Sequence, residues 1–351
     1  MPSSRGYSSY RGRGSKLKVF LAVLLVLVIL ASAAVIALSR YIAYDENGVP
    51  FLRLPEDVVR EEPPEMPEED ISDQIIIQEP EPVPPGREPV RAVLVPAGAL
   101  TAEVWSAALE TLGDPQGSYD AVAVTMGDAG GVLYFDAASA VQGSVKTVKG
   151  DTAETLTALL DSPYRAIARI SGGNCFRVAN INVTAMGLKN TGGYIFYDLY
   201  GGNWLDPAKP AAREYVQNLA VELADMGFDE ILLTDLGYPT EGKLDRIAYT
   251  GAENRWENVE DLIRSVRTAL GEREVLLSAE LPESVVLTGF DEVSGLRLEG
   301  IAPFVDRIYV QTAAEQTAAL EAAVDAVSDA AGLVPELDAA PETGERYLVI
   351  R

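Results

Sequence analysis

From residue 91 onward, short apolar runs rich in β-branched residues alternate with longer amphipathic stretches. Strands that alternate with helices predict a parallel sheet covered by helices. The predicted strands are Ala92–Pro96, Ala121–Met126, Ala166–Ile170, Glu230–Asp235, Glu274–Ala279, Arg307–Gln311 and Tyr347–Ile350, with a candidate eighth at Ser284–Leu287. The predicted helices are Ala102–Leu112, Ala153–Leu160, Ala211–Met226, Val259–Leu270 and Ala313–Ala331, with a weaker one at Val293–Leu298.

Eight such units in about 260 residues match the usual size of a (β/α)8 barrel. The expected fold class is therefore α/β, with a TIM-like barrel over residues 90–351. An open, doubly wound sheet is the alternative architecture for the same pattern of elements.

The first 89 residues follow a different pattern. A basic tail, residues 1–18, precedes an unbroken apolar stretch over residues 19–38, which is long enough for one transmembrane helix. The positive-inside rule then places the N-terminus in the cytoplasm and the main domain outside the cell membrane. A cleaved signal peptide is the alternative, because Ala31-Ser32-Ala33 has the form of a cleavage site. Residues 39–89 are crowded with Glu, Asp and Pro, which predicts a disordered linker.

Composition excludes several classes of function. The formal net charge of -25 disfavours nucleic acid as a partner, because phosphates would be repelled. The chain has no histidine and only one cysteine, Cys175, which rules out Ser-His-Asp chemistry, histidine-ligated zinc and an intrachain disulfide. The run Gly237–Lys243 has phosphate-loop spacing, but Leu244 replaces the metal-binding hydroxyl, so we expect no nucleotide. We predict neither a metal nor a cofactor.

Carboxylates remain as candidate catalysts. In a barrel the working residues stand at the C-terminal ends of the strands. Asp235 and Glu280 end adjacent predicted strands, and a pair of carboxylates across a pocket is what hydrolysis of a glycosidic bond requires. Arg169 ends the strand before them. Acids also end strands as ordinary solvated residues, and this alternative stays open.

A run rich in glycine and aromatic residues, 192–204, adds a second signal. Aromatic faces beside carboxylates suit a sugar, which has apolar C–H faces and a rim of hydroxyls. The alternative is a loop whose aromatic side chains enter the core. The candidate substrate-binding residues are Arg169, Asp198, Tyr200, Trp204, Tyr238 and Tyr309.

Three other acids are predicted to be structural. Asp206 precedes Pro207 at the start of a helix, as a capping residue does. Asp229 and Glu230 open a strand at its N-terminal end, which in a barrel is the end that serves stability.

Three segments give the chain a family resemblance. Gly227–Pro239, preceded by Trp204-Leu205-Asp206-Pro207 and the Ala168-Arg169-Ile170 strand, resembles the DUF4015 glycoside hydrolase domain over roughly residues 91–311. The resemblance implies a TIM barrel related to carbohydrate-active enzymes and commonly exported by bacteria.

The chain departs from the family pattern at the working end. Thr234 stands where the family has an acid, Gly237 where it has arginine, and Thr125 where it tends to have aspartate, whereas Glu280 matches an acidic position. Since strand side chains alternate between faces, Asp235 lies on the opposite face from Thr234.

Two functions follow. In the first, the protein is a membrane-anchored glycoside hydrolase that acts on an extracellular or cell-wall glycan, with Glu280 as general acid/base and Asp235 as nucleophile or base. In the second, catalysis has been lost, and the barrel is a carbohydrate-binding or cell-envelope scaffold module. Carbohydrate is the expected partner in both.

Overall fold

The computed structural model describes residues 42–44, 50–52, 83–95, 98–113, 119–251 and 253–350. Ile42–Tyr44 and Pro50–Leu52 pair as two short antiparallel strands, within a compact unit that ends at Glu79. They lie in the segment predicted as a disordered linker. Within the described residues no helix has the length and apolar character needed to cross a membrane. The predicted anchor at 19–38 lies outside the described residues, as does Pro96 at the end of the first predicted strand.

The second unit, Pro80–Arg351, contains a closed barrel of eight parallel strands, which confirms the predicted fold. Its strands are β1 Val90–Leu94, β2 Ala121–Gly127, β3 Arg165–Ser171, β4 Glu230–Thr234, β5 Leu276–Glu280, β6 Arg307–Gln311, β7 Gly332–Leu337 and β8 Arg346–Val349. Each strand pairs in parallel with its neighbour in sequence, and β8 pairs with β1 to close the sheet. Closure excludes the open doubly wound sheet.

The helices lie between the strands along the chain. They are α1 Ala102–Leu112, α2 Thr152–Leu160, α3 Phe176–Ile181, α4 Pro210–Met226, α5 Arg255–Leu270, α6 Glu283–Thr288, α7 Leu298–Ile301 and α8 Thr317–Asp325. The longest, α4, ends at Gly227, whose φ of 106° is the left-handed conformation that favours glycine at this position. The chain then turns directly into β4.

Two predicted elements were wrong, and a predicted helix is shorter than expected. Ser284–Leu287 lies in α6 and not in a strand, with Gly289 in the left-handed conformation at its end. The eighth strand is β7, which follows a helix that stops at Asp325 instead of continuing to Ala331. Val293–Leu298 is mostly turn and strand, and the short helix α7 begins only at Leu298.

The core has two layers, one on each face of the sheet. The inner layer fills the barrel with Val90, Ala92, Ala121, Ala123, Ile167, Leu232, Tyr309, Val334 and Leu348. The outer layer joins the sheet to the helices, for example Ile231 and Leu233 with Val216 and Leu219. Because residues of opposite parity on β4 enter different layers, Thr234 faces the barrel side, as predicted.

The N-terminal end of the barrel, which we call the floor, is closed by a buried ion pair. Arg307 at the start of β6 is 0% exposed and lies 2.5 Å from Glu230 at the start of β4. Arg307 also donates to the carbonyls of Pro85, Gly86 and Glu88, and Ser278 donates to Glu230 at 2.5 Å. A Cβ on Gly86 would lie 1.9 Å from the Asp306 carbonyl, so only glycine fits there. Residues 85–88, predicted as linker, therefore belong to the floor.

The other acids predicted as structural also bind backbone groups. Asp229 accepts a hydrogen bond from the amide of Ala166 at 2.7 Å and so joins β3 to β4. Asp206 is fully buried, but it does not cap α4, which begins at Pro210. Its carboxylate accepts hydrogen bonds from the Ala208 amide and the Thr250 hydroxyl, and burial raises its pKa.

Replacing Arg307 by methionine is expected to lower the free energy of unfolding by about 3–5 kcal/mol, because it leaves Glu230 buried without its cation. Urea denaturation measures the loss. Arg264→Met is the matched control, since its ion pair with Asp261 is half-exposed and contributes about 1 kcal/mol or less. Equal losses in the two variants would contradict the structural role of the buried pair.

Candidate active site

The C-terminal ends of the strands form the mouth of the barrel. Side chains that share parity with the inner layer point toward its interior, and polar residues occupy most of these positions near the mouth. They are Thr125, Arg169, Thr234, Glu280, Gln311 and Glu336. Polar side chains are thus concentrated where barrel enzymes carry out chemistry.

One arginine joins two carboxylates at the mouth. Nη2 of Arg169 on β3 lies 2.6 Å from Oε2 of Glu280 on β5 and 3.5 Å from Oε1 of Glu336 on β7. The Glu280 side chain is 28% exposed, whereas that of Glu336 is only 3% exposed. Of the two acids, Glu280 is therefore the one that a ligand in the mouth can reach.

Glu336 differs from Glu280 in its environment. Its Oε1 is buried and accepts no hydrogen bond from the described residues. Burial raises the pKa of Glu336 to about 7, with Glu280 adding to the rise and Arg169 opposing it. Glu336 therefore holds a proton for part of the time near neutral pH.

Sequence reasoning missed Glu336 because it missed the strand that carries it. The segment 332–337 follows an alanine-rich stretch, and Pro335 within it argues against a strand. The usable signal was the apolar run Gly332–Pro335 that ends in an acid. The same pattern of a strand ending in an acid led to Glu280.

Asp235 lies directly beyond β4 and is exposed. Its φ of 51° places its backbone in the left-handed conformation, which aspartate tolerates better than most residues. Apart from glycines, no other described residue has a positive φ. The hydroxyl of Thr234 donates a hydrogen bond to the carboxylate of Asp235 at 3.1 Å. The backbone carbonyl of Asp235 accepts a hydrogen bond from the amide of Asn174 at 3.3 Å. No described hydrogen bond or ion pair joins Asp235 to Glu280, although their strands are neighbours.

A cavity of about 520 Å³ opens between the loops that follow β2, β3 and β4. The lining residues are Ala129 and Gly130 after β2, Asn174 and the first residue of α3, Phe176, after β3, Pro239, Thr240 and Glu241 after β4, and Asp198, Tyr200, Gly201, Gly202 and Trp204 of the aromatic segment. Glu280 is not among the lining residues. Asp235 connects the two regions, since it follows the neighbour strand of Glu280 and contacts Asn174 through its backbone.

Asp198 organises the aromatic segment. Its carboxylate accepts hydrogen bonds from the amides of Tyr200 and Gly202 and, at 2.8 Å, from Nε1 of Trp204. These bonds fix the half-buried Trp204 ring beside the cavity. Tyr200 is 83% exposed, and its hydroxyl donates to Glu241, which raises the pKa of Tyr200. Three of the predicted substrate-binding residues, Asp198, Tyr200 and Trp204, therefore line one cavity.

Two predicted substrate contacts are buried. Tyr238 is 1% exposed, packs edge-on against Tyr249 and accepts a hydrogen bond from Asn258. Tyr309 is 0% exposed and belongs to the inner layer of the barrel, where burial raises its pKa well above the ordinary value. Both side chains are therefore buried in this conformation, and neither lines the cavity.

Within the described ranges, no group of three or more His, Cys, Asp or Glu side chains is placed to hold a metal ion. Cys175 is buried and free, and burial raises its pKa to about 12. The polar groups at the mouth are carboxylates, an amide, hydroxyls and the Arg169 guanidinium.

Several solved structures resemble the chain. A hypothetical protein from Ruminiclostridium thermocellum is 19% identical, with a TM-score of 0.44, over 51% of this chain and 92% of that one. The C-terminal domain of a chitinase, named as putative, from Desulfitobacterium hafniense is 12% identical, with a TM-score of 0.44, over 71% and 66%. The PgaB (BpsB) glycoside hydrolase domain from Bordetella bronchiseptica is 15% identical, with a TM-score of 0.48, over 77% and 94%.

Comparison with curated proteins finds no match. A family model does match, over residues 101–310, and its description is "Putative glycosyl hydrolase domain". The matched segment is more than half of the 351 residues and contains β2 to β5 and nearly all of β6. Arg169, Asp235 and Glu280 lie within it, whereas Glu336 lies beyond its end. This protein therefore belongs to the DUF4015 glycosyl hydrolase domain family.

Proposed function

We propose that the barrel is a glycoside hydrolase that acts on an extracellular or cell-wall glycan, with Glu280 as the essential carboxylate. The observation that carries the proposal is the position of Glu280. It ends β5 at the barrel mouth, is partly exposed and is oriented by Arg169 at 2.6 Å. Hydrolysis of a glycosidic bond requires such a fixed, accessible carboxyl group.

The second carboxyl group of the reaction is Asp235. It is exposed on the strand next to that of Glu280, and its left-handed backbone is a departure from ordinary geometry of the kind that occurs at functional sites. In this mechanism Glu280 transfers a proton to or from the glycosidic oxygen, and Asp235 acts as nucleophile or as the base that activates water.

Glu336 supports this site without touching the substrate. Since it shares Arg169 with Glu280, its ionisation changes how strongly the guanidinium is held by Glu280. Below about pH 7 Glu336 is largely neutral, and Arg169 then pairs with Glu280 alone. Above that pH the two carboxylates compete for one cation.

A binding module without catalysis is the second candidate. Two observations favour it: no described contact joins Asp235 to Glu280, and the cavity formed by the aromatic segment does not include Glu280. In that case the mouth and the cavity bind a glycan. The cluster of Arg169, Glu280 and Glu336, the Arg169 cluster, then only stabilises the barrel.

Replacing Glu280 by glutamine is expected to lower glycan turnover by about 10²–10⁴-fold, the usual contribution of an acid/base group, while glycan binding persists. The full chain, purified in a detergent without a sugar headgroup, is assayed against a panel that includes bacterial cell-wall polysaccharide. Glu272→Gln, exposed in the turn before β5 at the opposite end of the barrel, is the matched control. Binding without cleavage by the unmodified protein would instead favour the binding module.

Replacing Glu336 by glutamine is expected to change how stability depends on pH. The folded pKa of about 7 exceeds the ordinary 4.5, so the folded state binds more protons and its stability falls as pH rises between these values. The variant lacks this loss and is expected to exceed the parent by on the order of 2 kcal/mol at about pH 8, and by little at about pH 4. Urea denaturation at both pH values is the measurement. A difference that does not vary with pH would contradict the raised pKa.

We also propose that residues 19–38 anchor the chain in the cell membrane with the barrel outside. The support is the apolar stretch and the basic residues before it. The full chain is expected to stay with membranes through an alkaline wash, and external protease is expected to cleave it. Deletion of residues 19–38 is the control and should release the protein. A mature N-terminus just after Ala33 would show a cleaved signal peptide instead.

A further inference from the structure

The cavity formed by the aromatic segment has an unusual balance of charge. Two of its lining residues, Asp198 and Glu241, are carboxylates, and none is lysine or arginine. Neither carboxylate takes part in an ion pair among the described residues. Arg177 and Lys243 are close along the chain, but both are exposed and neither lines the cavity. The cavity therefore carries uncompensated negative charge.

Its walls are aromatic. Phe176 is 39% exposed and Tyr200 is 83% exposed, and both line the cavity beside the half-buried Trp204. Exposed aromatic faces attract the C–H faces of sugar rings, and they also attract cations through the negative face of the ring. This combination suits a ligand that is both a carbohydrate and positively charged.

Several hydrogen-bond acceptors belong to residues that line the cavity. Oδ1 of Asn174, a lining residue, is buried and receives no hydrogen bond from the described residues. The carboxylate of Asp198 already accepts three hydrogen bonds, and Glu241 is exposed. A ligand with N–H donors would satisfy these atoms, and a positively charged amino group would also offset the charge of the two carboxylates, which an uncharged N-acetyl group cannot do.

We propose that this cavity is a subsite for a glycan whose sugars carry free, positively charged amino groups. The inference rests on the proposed function, because the cavity and Glu280 lie at the same end of the barrel and would contact the same glycan. A neutral glycan would leave the two carboxylates without a cation, and an acidic glycan would be repelled by them. The amino group is thus the feature that the cavity selects.

The test compares three tetrasaccharides of similar size by isothermal titration calorimetry with the full chain carrying Glu280→Gln, so that no ligand is consumed. They are a glucosamine oligomer, an N-acetylglucosamine oligomer and a glucose oligomer. The glucosamine oligomer is expected to bind at least about tenfold more tightly than the other two at low salt, and this preference is expected to shrink as salt screens the charges. Equal affinities, or a preference that salt does not change, would overturn the proposal.

A second variant places the selectivity in this cavity. Adding Glu241→Gln removes one exposed carboxylate with little change of shape, and it is expected to weaken glucosamine binding by roughly two- to fivefold while leaving the neutral oligomers unaffected. Glu272→Gln in the same background is the matched control and should bind like its parent. If the two variants bind glucosamine equally, the charge that attracts the amine lies elsewhere and the assignment of this cavity is wrong.

Failure of this inference can be distinguished from failure of the proposed function. Selective binding of the glucosamine oligomer with no cleavage of any glycan by the unmodified protein would remove the hydrolase and leave the subsite. Cleavage that depends on Glu280, on glycans bound without any preference for amino groups, would keep the hydrolase and remove the subsite.

Discussion

The closure of eight parallel strands is the constraint on which the rest of this structure depends. In a closed sheet every second residue of each strand enters a confined interior, so the parity of a residue decides whether it can reach the mouth. Leu232 and Tyr309 fill the middle of that interior, and the ion pairs described above lie on either side of them. The Arg307–Glu230 pair closes the floor, and the Arg169 cluster occupies the mouth.

The alternation of side chains along a strand also explains why Asp235, the acid that follows β4, does not point into the barrel. Thr234 faces the interior, and the acid comes one residue later, where the chain adopts a left-handed conformation and leaves the strand. Asp235 is consequently exposed at the rim, between the mouth and the loop cavity, and does not join the Arg169 cluster. The interior carboxylate that accompanies Glu280 comes instead from β7, as Glu336.

The sequence predicted the barrel because most strands combine a β-branched apolar run with a polar residue at the C-terminal end. It failed where local signals were mixed. Val285 and Val286 suggested a strand, but Glu283 and Gly289 begin and end a helix around them. Pro335 argued against a strand at the position of β7, so Glu336, which this strand carries, was not predicted.

At the site, the positions of Arg169 and Glu280 on the strands were enough to identify two members of the cluster, since both have inward parity. Tyr238 and Tyr309 could not be classified in this way, because a buried tyrosine and a ligand-binding tyrosine look alike in a sequence. The cavity was also beyond prediction, because it is assembled from three loops and the aromatic segment, which only tertiary structure brings together.

The floor is also the end of the barrel at which the chain enters the fold. Residues 85–88 enter the fold beneath Arg307, at the end opposite the mouth. A force applied through the preceding polypeptide would act on the most deeply buried ion pair, and it would reach the loops around the cavity only through the whole length of the strands. Joining another protein, or a solid support, ahead of residue 83 would accordingly leave the mouth open to polymers too large to enter a closed pocket.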